Sequence, residues 1–186
     1  MNRIALALMI VLSCIMIFPA ISGALDFQGI GGRVSGVFPK GDAGTNFGLG
    51  AIADLGTIVP QWEPLKADIS VNYWGNSYNA AGSIYKTDLT SVSFNVRVKL
   101  QFTLGGAISP FIGGGLGVDL ERWTTEQDSS GSVGSVTDSN TGLITHLVAG
   151  IDIPLGSDFK FTPQAEYNMS RTDTFQVIGA FVFMFK

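Results

Sequence analysis

The closing stretch, Phe175 to Lys186, constrains the fold most strongly, because apolar and aromatic residues occupy every second position. The alternating set is Phe175, Val177, Gly179, Phe181, Phe183 and Phe185. Successive side chains of a β-strand point to opposite faces, so these residues share one face of an extended strand. Such a face must be covered by a second protein layer or by lipid. In a bilayer, strands satisfy their backbone groups only by closing into a barrel.

Similar alternation recurs in earlier segments, which predicts eight strands. The predicted strands are residues 27–38, 46–55, 67–74, 89–100, 108–123, 143–153 and 159–169, followed by the closing strand. In the segment 89–100, for example, Phe94 and Val96 alternate with Asn95 and Arg97. Single-chain bacterial barrels have an even number of strands, and ~9–11 residues cross a bilayer at a tilt. We therefore predict an all-β fold, an eight-stranded antiparallel up-and-down transmembrane β-barrel.

The connections between predicted strands differ in length, which gives the barrel an orientation. Turn signals at Gly105-Gly106 and Pro154 to Ser157 predict short periplasmic turns, whereas 75–86 and 124–140 are predicted to be long irregular loops. The longer connection around Pro60 fits this alternation less well. With the amino terminus in the periplasm, the two long loops lie outside the cell. They then provide the surface available to a ligand.

The first 24 residues have the pattern of a secretory signal peptide. Arg3 precedes a long apolar run, and Ser22-Gly23-Ala24 fits a small-residue cleavage site. We predict that residues 1–24 are a removed signal peptide and that 25–186 form the outer-membrane β-barrel domain. An uncleaved membrane helix and, because of Cys14, a lipoprotein signal are the alternative interpretations. Cleavage removes the only cysteine, which excludes disulfides and thiol chemistry from the mature chain.

Composition excludes several classes of function. The chain carries 11 Lys and Arg against 15 Asp and Glu, and no basic cluster, so we predict no nucleic-acid partner. One histidine and one cysteine provide no metal-ligand spacing. The glycine pattern at Gly48 to Ala53 formally fits a dinucleotide fingerprint, but it lies within an alternating strand without a following helix. We therefore predict neither a metal nor a cofactor.

Ionisable residues recur on the face opposite the aliphatic side chains, and we expect this face to line the barrel interior. The predicted interior set is Arg33, Asp54, Asp68, Arg97, Lys99, Asp119, Glu121, His146, Asp152, Lys160 and Glu166. An eight-stranded barrel is just wide enough to be filled by side chains, and buried charges must pair. We predict a structural network of cross-barrel ion pairs, with Asp54 and Glu121 near the ends left solvated. The alternative for the same residues is a polar path for small solutes.

His146 is the only histidine and the main candidate for catalysis. A lipid-acting hydrolase would need a histidine and a serine close together on the lipid-facing rim. The alternation points His146 inward, and position 148 is a valine. We interpret His146 as a hydrogen-bonded interior residue and predict that the protein is not an enzyme.

Three segments together resemble the eight-stranded outer-membrane barrels of the OmpA/OmpX type: Gly29 to Gly36, Pro110 to Gly117 and the aromatic closing strand. The resemblance covers the whole predicted mature chain, although Lys186 follows Phe185, whereas the family usually ends on the aromatic residue. It implies a Gram-negative outer-membrane protein in contact with lipid and inserted by the barrel-assembly machinery. It also implies a structural or surface-interaction role in the cell envelope, with a surface ligand at the outer loops.

Two other functions stay open at this point. One is a narrow, porin-like passive channel for small solutes. The other is a soluble periplasmic barrel of lipocalin shape, which would point its apolar side chains inward and bind a ligand there. Alternation alone does not say which face is inside, but charged residues share their face with glycines, which favours the membrane barrel.

Overall fold

The computed structural model describes residues 27–41, 44–59, 61–79, 85–102, 104, 108–127 and 135–185. The predicted signal peptide, Pro60, the predicted turn at Gly105-Gly106, the centres of both predicted long loops and Lys186 lie outside these residues. The strands are β1 (Gly29–Pro39), β2 (Asn46–Thr57), β3 (Leu65–Asn79), β4 (Tyr85–Gln101), β5 (Ser109–Gln127), β6 (Ser135–Leu155), β7 (Phe159–Met169) and β8 (Thr174–Met184). Each strand pairs antiparallel with the next, and β8 pairs with β1, which confirms the predicted closed barrel. The described part of the chain has no helix that is long and apolar enough to cross a membrane.

The two faces of each strand meet different surroundings, as the alternation predicted. On β4, Phe94, Val96 and Val98 are exposed, whereas Asn95 and Arg97 are buried inside the barrel. The same sorting of apolar residues to the outside holds on the other strands. The soluble barrel of lipocalin shape is therefore wrong, because it requires a polar exterior, whereas the exterior of this barrel is apolar and its charged side chains lie inside.

Aromatic side chains form two exposed rims on the outside of the barrel. At the end with the short turns, the Phe183 ring lies 5.4 Å from Phe159 and 5.6 Å from Phe185, centroid to centroid. At the opposite end, Phe38 and Phe175 lie 6.1 Å apart. Aromatic girdles of this kind mark the two headgroup levels of a membrane barrel.

Strands β3 to β6 are longer than the bilayer requires, with 15, 17, 19 and 21 residues. The predicted irregular loops at 75–86 and 124–140 are therefore wrong in extent, since paired strands occupy all their described residues. Polar cross-strand contacts such as Thr124 to Thr137, 3.4 Å between hydroxyl oxygens, accompany this pairing. Because ~9–11 residues cross a bilayer, the remainder projects beyond the lipid as a four-stranded sheet. We call residues 75–79, 85–90, 122–127 and 135–142 the outer sheet; it lies on the extracellular side if the short turns are periplasmic.

Leu55 departs from the predicted alternation. The alternation that puts Phe47 and Leu49 on the outside would also point Leu55 outward, but only 7% of its surface is exposed. The register between β2 and β3 shifts between Asp54 and Gly56, so Leu55 is the extra residue of a β-bulge. Gly56 has a φ of +69°, which glycine adopts readily, and its N–H donates to Asp54 Oδ1 at 2.9 Å.

Candidate functional site

Within the described part of the chain, ionisable side chains concentrate in the barrel interior, where five of them from β1, β3, β4 and β7 meet. Glu166 Oε2 accepts from Arg33 Nη2 at 3.0 Å and from Arg97 Nη1 at 2.6 Å. Arg97 Nε donates to Asp68 Oδ1 at 2.7 Å, and Lys99 Nζ lies 2.9 Å from Asp68 Oδ2. All five are buried. Three cations therefore share two carboxylates in this cluster.

A second cluster lies nearer the short-turn end. Lys160 Nζ is ion-paired with Asp54 and lies 3.3 Å from Asp152 Oδ2. Gln101 Nε2 and Thr162 Oγ1 each donate to Asp152 at 2.7 Å. Here two carboxylates share one cation. Across the two clusters, four cations face four carboxylates, so the charges balance.

Uncharged groups satisfy further atoms of the first cluster. Arg33 Nη1 donates to Ser70 Oγ at 2.7 Å. With its amide oxygen turned toward the guanidinium groups, Gln164 accepts from Arg97 at 3.1 Å and from Arg33 at 3.0 Å. Lys99 Nζ lies 4.9 Å from the centre of the Phe111 ring, a cation–π contact. Buried charges need such partners because they have lost their water.

His146 is buried inside the barrel rather than on the lipid-facing rim. Its Nδ1 lies 3.2 Å from Asn168 Oδ1, and Asn168 Nδ2 donates to Thr174 Oγ1 at 3.1 Å. Val148, the position that a serine would occupy in a hydrolase pair, is also buried. This arrangement gives His146 a hydrogen-bonding partner and no nucleophile at that position.

Asp119 and Glu121 lie apart from both charged clusters. Ser91 Oγ donates to Asp119 Oδ1 at 2.7 Å, while both carboxylate oxygens of Glu121 lack a hydrogen-bond partner within the described structure. Glu121 and Asp54 were predicted to be solvated, but they are only 4% and 3% exposed. That prediction is wrong because Asp54 is bonded to Lys160 and the interior beyond Glu121 is covered by apolar side chains.

The cover beyond Glu121 is a cluster that sequence reasoning missed. Val37, Trp74 and Leu89 are buried together, and Trp123 packs against them. We call these four residues the apolar cap. The alternation could have revealed this cluster. Leu89 and Trp123 are cross-strand partners, and each lies two residues along its strand from an inward residue, Ser91 or Glu121. A second apolar cluster fills the interior between β1, β2 and β8; it consists of Ile52, Ala180, Val182 and Met184.

This interior is built for packing and pairing. Within the described residues, no group of three or more His, Cys, Asp or Glu side chains is arranged to hold a metal ion.

The sequence profile described as "Outer membrane protein beta-barrel domain" matches residues 15–184. The chain belongs to this family. The exposed apolar belt of the barrel therefore faces the lipid of the bacterial outer membrane.

Solved structures show the same fold at low sequence identity. Neisserial surface protein A has 14% identity and a TM-score of 0.62, covering 85% of this chain and 97% of that protein. The attachment invasion locus protein Ail of Yersinia pestis has 16% identity and a TM-score of 0.52, covering 86% and 97%. A major outer membrane protein of Thermus thermophilus has 9% identity and a TM-score of 0.58, covering 86% and 100%. No curated protein sequence matches the chain significantly.

Proposed function

We propose that this outer-membrane barrel is a surface-interaction protein that binds an extended polypeptide along the edge of its outer sheet. The observation that carries the proposal is a free strand edge on β6. Residues 135–144 pair with β5, but pairing of β6 with β7 begins only at Thr145 and Met169. One side of this segment therefore presents backbone groups without a partner strand in the described structure. Such an edge is a template for adding another strand.

The edge lacks the features that usually block strand addition. Edge strands are commonly protected by lysine, proline or a bulge. Residues 135–144 contain neither lysine nor proline, and Asp138 is their only charged residue. The register with β5 is continuous through the whole segment. Its side chains are largely exposed, with Val136 at 72%.

The charge of the outer sheet favours a polypeptide over a polyanion. Ail has been solved in complex with the heparin analogue sucrose octasulfate, a sulfated polyanion. Recognition of such a ligand requires a basic patch. The described outer sheet carries two cations and three carboxylates: Lys86, Arg122, Asp88, Glu126 and Asp138. Lys86 is moreover 3.6 Å from Asp88 and is the cross-strand partner of Glu126.

The interior has a structural role in this proposal. The two ionic clusters, whose charges balance when they are taken together, and the apolar cap support a filled barrel, which is why we favour surface binding over a passive channel. We also propose that residues 1–24 are removed as a signal peptide and that the barrel-assembly machinery inserts the chain through its aromatic closing strand. Binding function then rests with the segments outside the membrane.

Adhesion of bacteria that display the protein tests the proposal. Thr137→Lys with Thr141→Lys places two lysines on the free edge strand, where they oppose strand addition. Thr90→Lys with Thr124→Lys adds the same charge on the inner strands β4 and β5 and serves as the control. We expect adhesion to a panel of immobilised extracellular matrix proteins to fall in the edge variant only, and adhesion to heparin to stay at background. Equal loss in both variants, or strong heparin adhesion, would contradict the proposal.

A further inference from the structure

Asp119 and Glu121 are buried carboxylates for which the described residues provide no cation. Each of the four interior cations is bonded to one of the other four carboxylates. Asp119 and Glu121 are only 6% and 4% exposed. An ionised carboxylate in such a place is costly unless an opposite charge or hydrogen-bond donors compensate it. The structure therefore leaves up to two negative charges uncompensated beneath the apolar cap.

The two carboxyl groups are close neighbours on the inward face of β5. They belong to alternate residues of the strand, and their cross-strand partners on β4 are Ser93 and Ser91. Ser91 donates to Asp119 Oδ1, which leaves the lone pairs of its own oxygen available. Both oxygens of Glu121 remain without a hydrogen-bond partner.

Asn95 adds an independent, uncharged oxygen on the other side of Asp119. Asn95 is 4% exposed, and its Nδ2 donates to Ser93 Oγ at 3.1 Å. Its Oδ1 has no partner and lies over Gly117, where a Cβ would collide with it. Gly117 is the inward residue of β5 that precedes Asp119. Asn95, over Gly117, and Glu121 thus carry three unpartnered acceptor oxygens at the two inward positions that neighbour Asp119 along the strand.

We propose that Asp119, Glu121 and Asn95 form a binding site for a hard divalent cation of the Ca²⁺ class. Such ions prefer carboxylate, amide and hydroxyl oxygens and accept irregular geometry. A divalent ion neutralises both carboxylates and draws on all three free oxygens. A single proton shared by the two carboxylates would provide a hydrogen bond to only one of these three oxygens. With two carboxylates in the site, water and the Ser91 hydroxyl complete the coordination.

The position of the site determines what the ion does. It lies between the charged network and the apolar cap, beneath the outer sheet, so the ion stabilises the end of the barrel that carries this sheet. Because the ligands are nearly inaccessible in the folded protein, the ion enters while the barrel folds. The site acts independently of the polypeptide-binding edge on β6.

Thermal unfolding of refolded protein provides the first test. Wild type, Asp119→Asn with Glu121→Gln, and the exposed control Glu126→Gln are refolded in detergent with either EDTA or Ca²⁺. We expect Ca²⁺ to raise the Tm of wild type and of the control and to leave the Tm of the double variant unchanged. In EDTA, the double variant should be at least as stable as wild type, because two uncompensated charges are gone. A purely structural role of the two acids predicts a less stable variant in both conditions.

Terbium luminescence provides the second test, because Trp123 and Trp74 of the apolar cap lie beside the site and can sensitise bound Tb³⁺. Wild type refolded with Tb³⁺ should show sensitised emission that Ca²⁺ suppresses when it is present during refolding. The double variant should lose this emission, while Glu126→Gln retains it. Equal emission from all three proteins would overturn the proposal. So would a wild type that is stabilised by mild acid but not by Ca²⁺, since the pair would then hold a proton.

Discussion

Replacing Glu166 by glutamine tests the interior network directly, because one carboxylate oxygen serves two guanidinium groups. Glu166 Oε2 lies 3.0 Å from Arg33 Nη2 and 2.6 Å from Arg97 Nη1. In the variant, Arg97 keeps its bond to Asp68, whereas Arg33 keeps only uncharged partners. Only 1% of the Glu166 side chain is exposed, so water does not screen the loss. Removing one member of a buried pair costs about 3–5 kcal/mol, and we expect a decrease of that size in the free energy of unfolding.

Two companion variants separate charge from packing. Ser70→Ala removes a neutral partner of Arg33 and should cost about 1 kcal/mol. Arg33→Met combined with Glu166→Gln removes one cation and one carboxylate, so the cluster keeps its original net charge. The combined variant should therefore be more stable than Glu166→Gln alone, with a coupling energy of about 0.5–3 kcal/mol.

Equilibrium unfolding in guanidinium, with the barrel folded in lipid vesicles and followed by tryptophan fluorescence, measures these differences. A Glu166→Gln variant within about 1 kcal/mol of wild type, the range of an exposed ion pair, would contradict a buried network centred on Glu166. Simple addition of the effects of Arg33→Met and Glu166→Gln would contradict it as well, because contacting charges must couple.

Three further predictions address the lipid face, the close packing of the wall and the amino terminus. Val96→Arg should destabilise the barrel in vesicles by about 2–4 kcal/mol if it lies near the midplane, whereas Val96→Leu should be tolerated. Gly115→Ala should cost about 1–3 kcal/mol in refolding titrations, because its Cβ would lie 2.9 Å from the Cα and Cγ of Arg97. The control Gly32→Ala should be neutral in the same assay, because its Cβ would meet nothing within 4 Å. Mass spectrometry of the outer-membrane protein should find Leu25 as its first residue, and retention of residues 1–24 would contradict the cleavage prediction.

The barrel wall was predictable because membrane and interior impose opposite chemistry on alternate residues. Val96 and Arg97 are neighbours in the sequence, yet one is 49% exposed and the other is fully buried. This contrast gives a strong period of two, from which the number of strands and the direction of side chains follow. It failed at Leu55, where a bulge inserts one residue and turns the side chain inward.

The extent of the strands beyond the membrane was not predictable in this way. Around Thr124 and Thr137 both faces of the sheet are polar, so the period of two disappears although the strands stay paired. The partners inside the barrel were also hidden. Arg33 and Glu166 are 133 residues apart and lie on β1 and β7, which are not neighbouring strands. The alternation along each strand identifies the inward side chains, but only the closure of the barrel decides which of them come into contact.

Planar-bilayer recording of the purified protein tests most directly whether the barrel interior is closed by its own side chains. The paired clusters around Arg97 and Lys160, together with the apolar cap, predict a bilayer without stable conductance steps. Reproducible steps that vanish when Arg97 or Glu166 is replaced would contradict this account and identify the interior as a solute path.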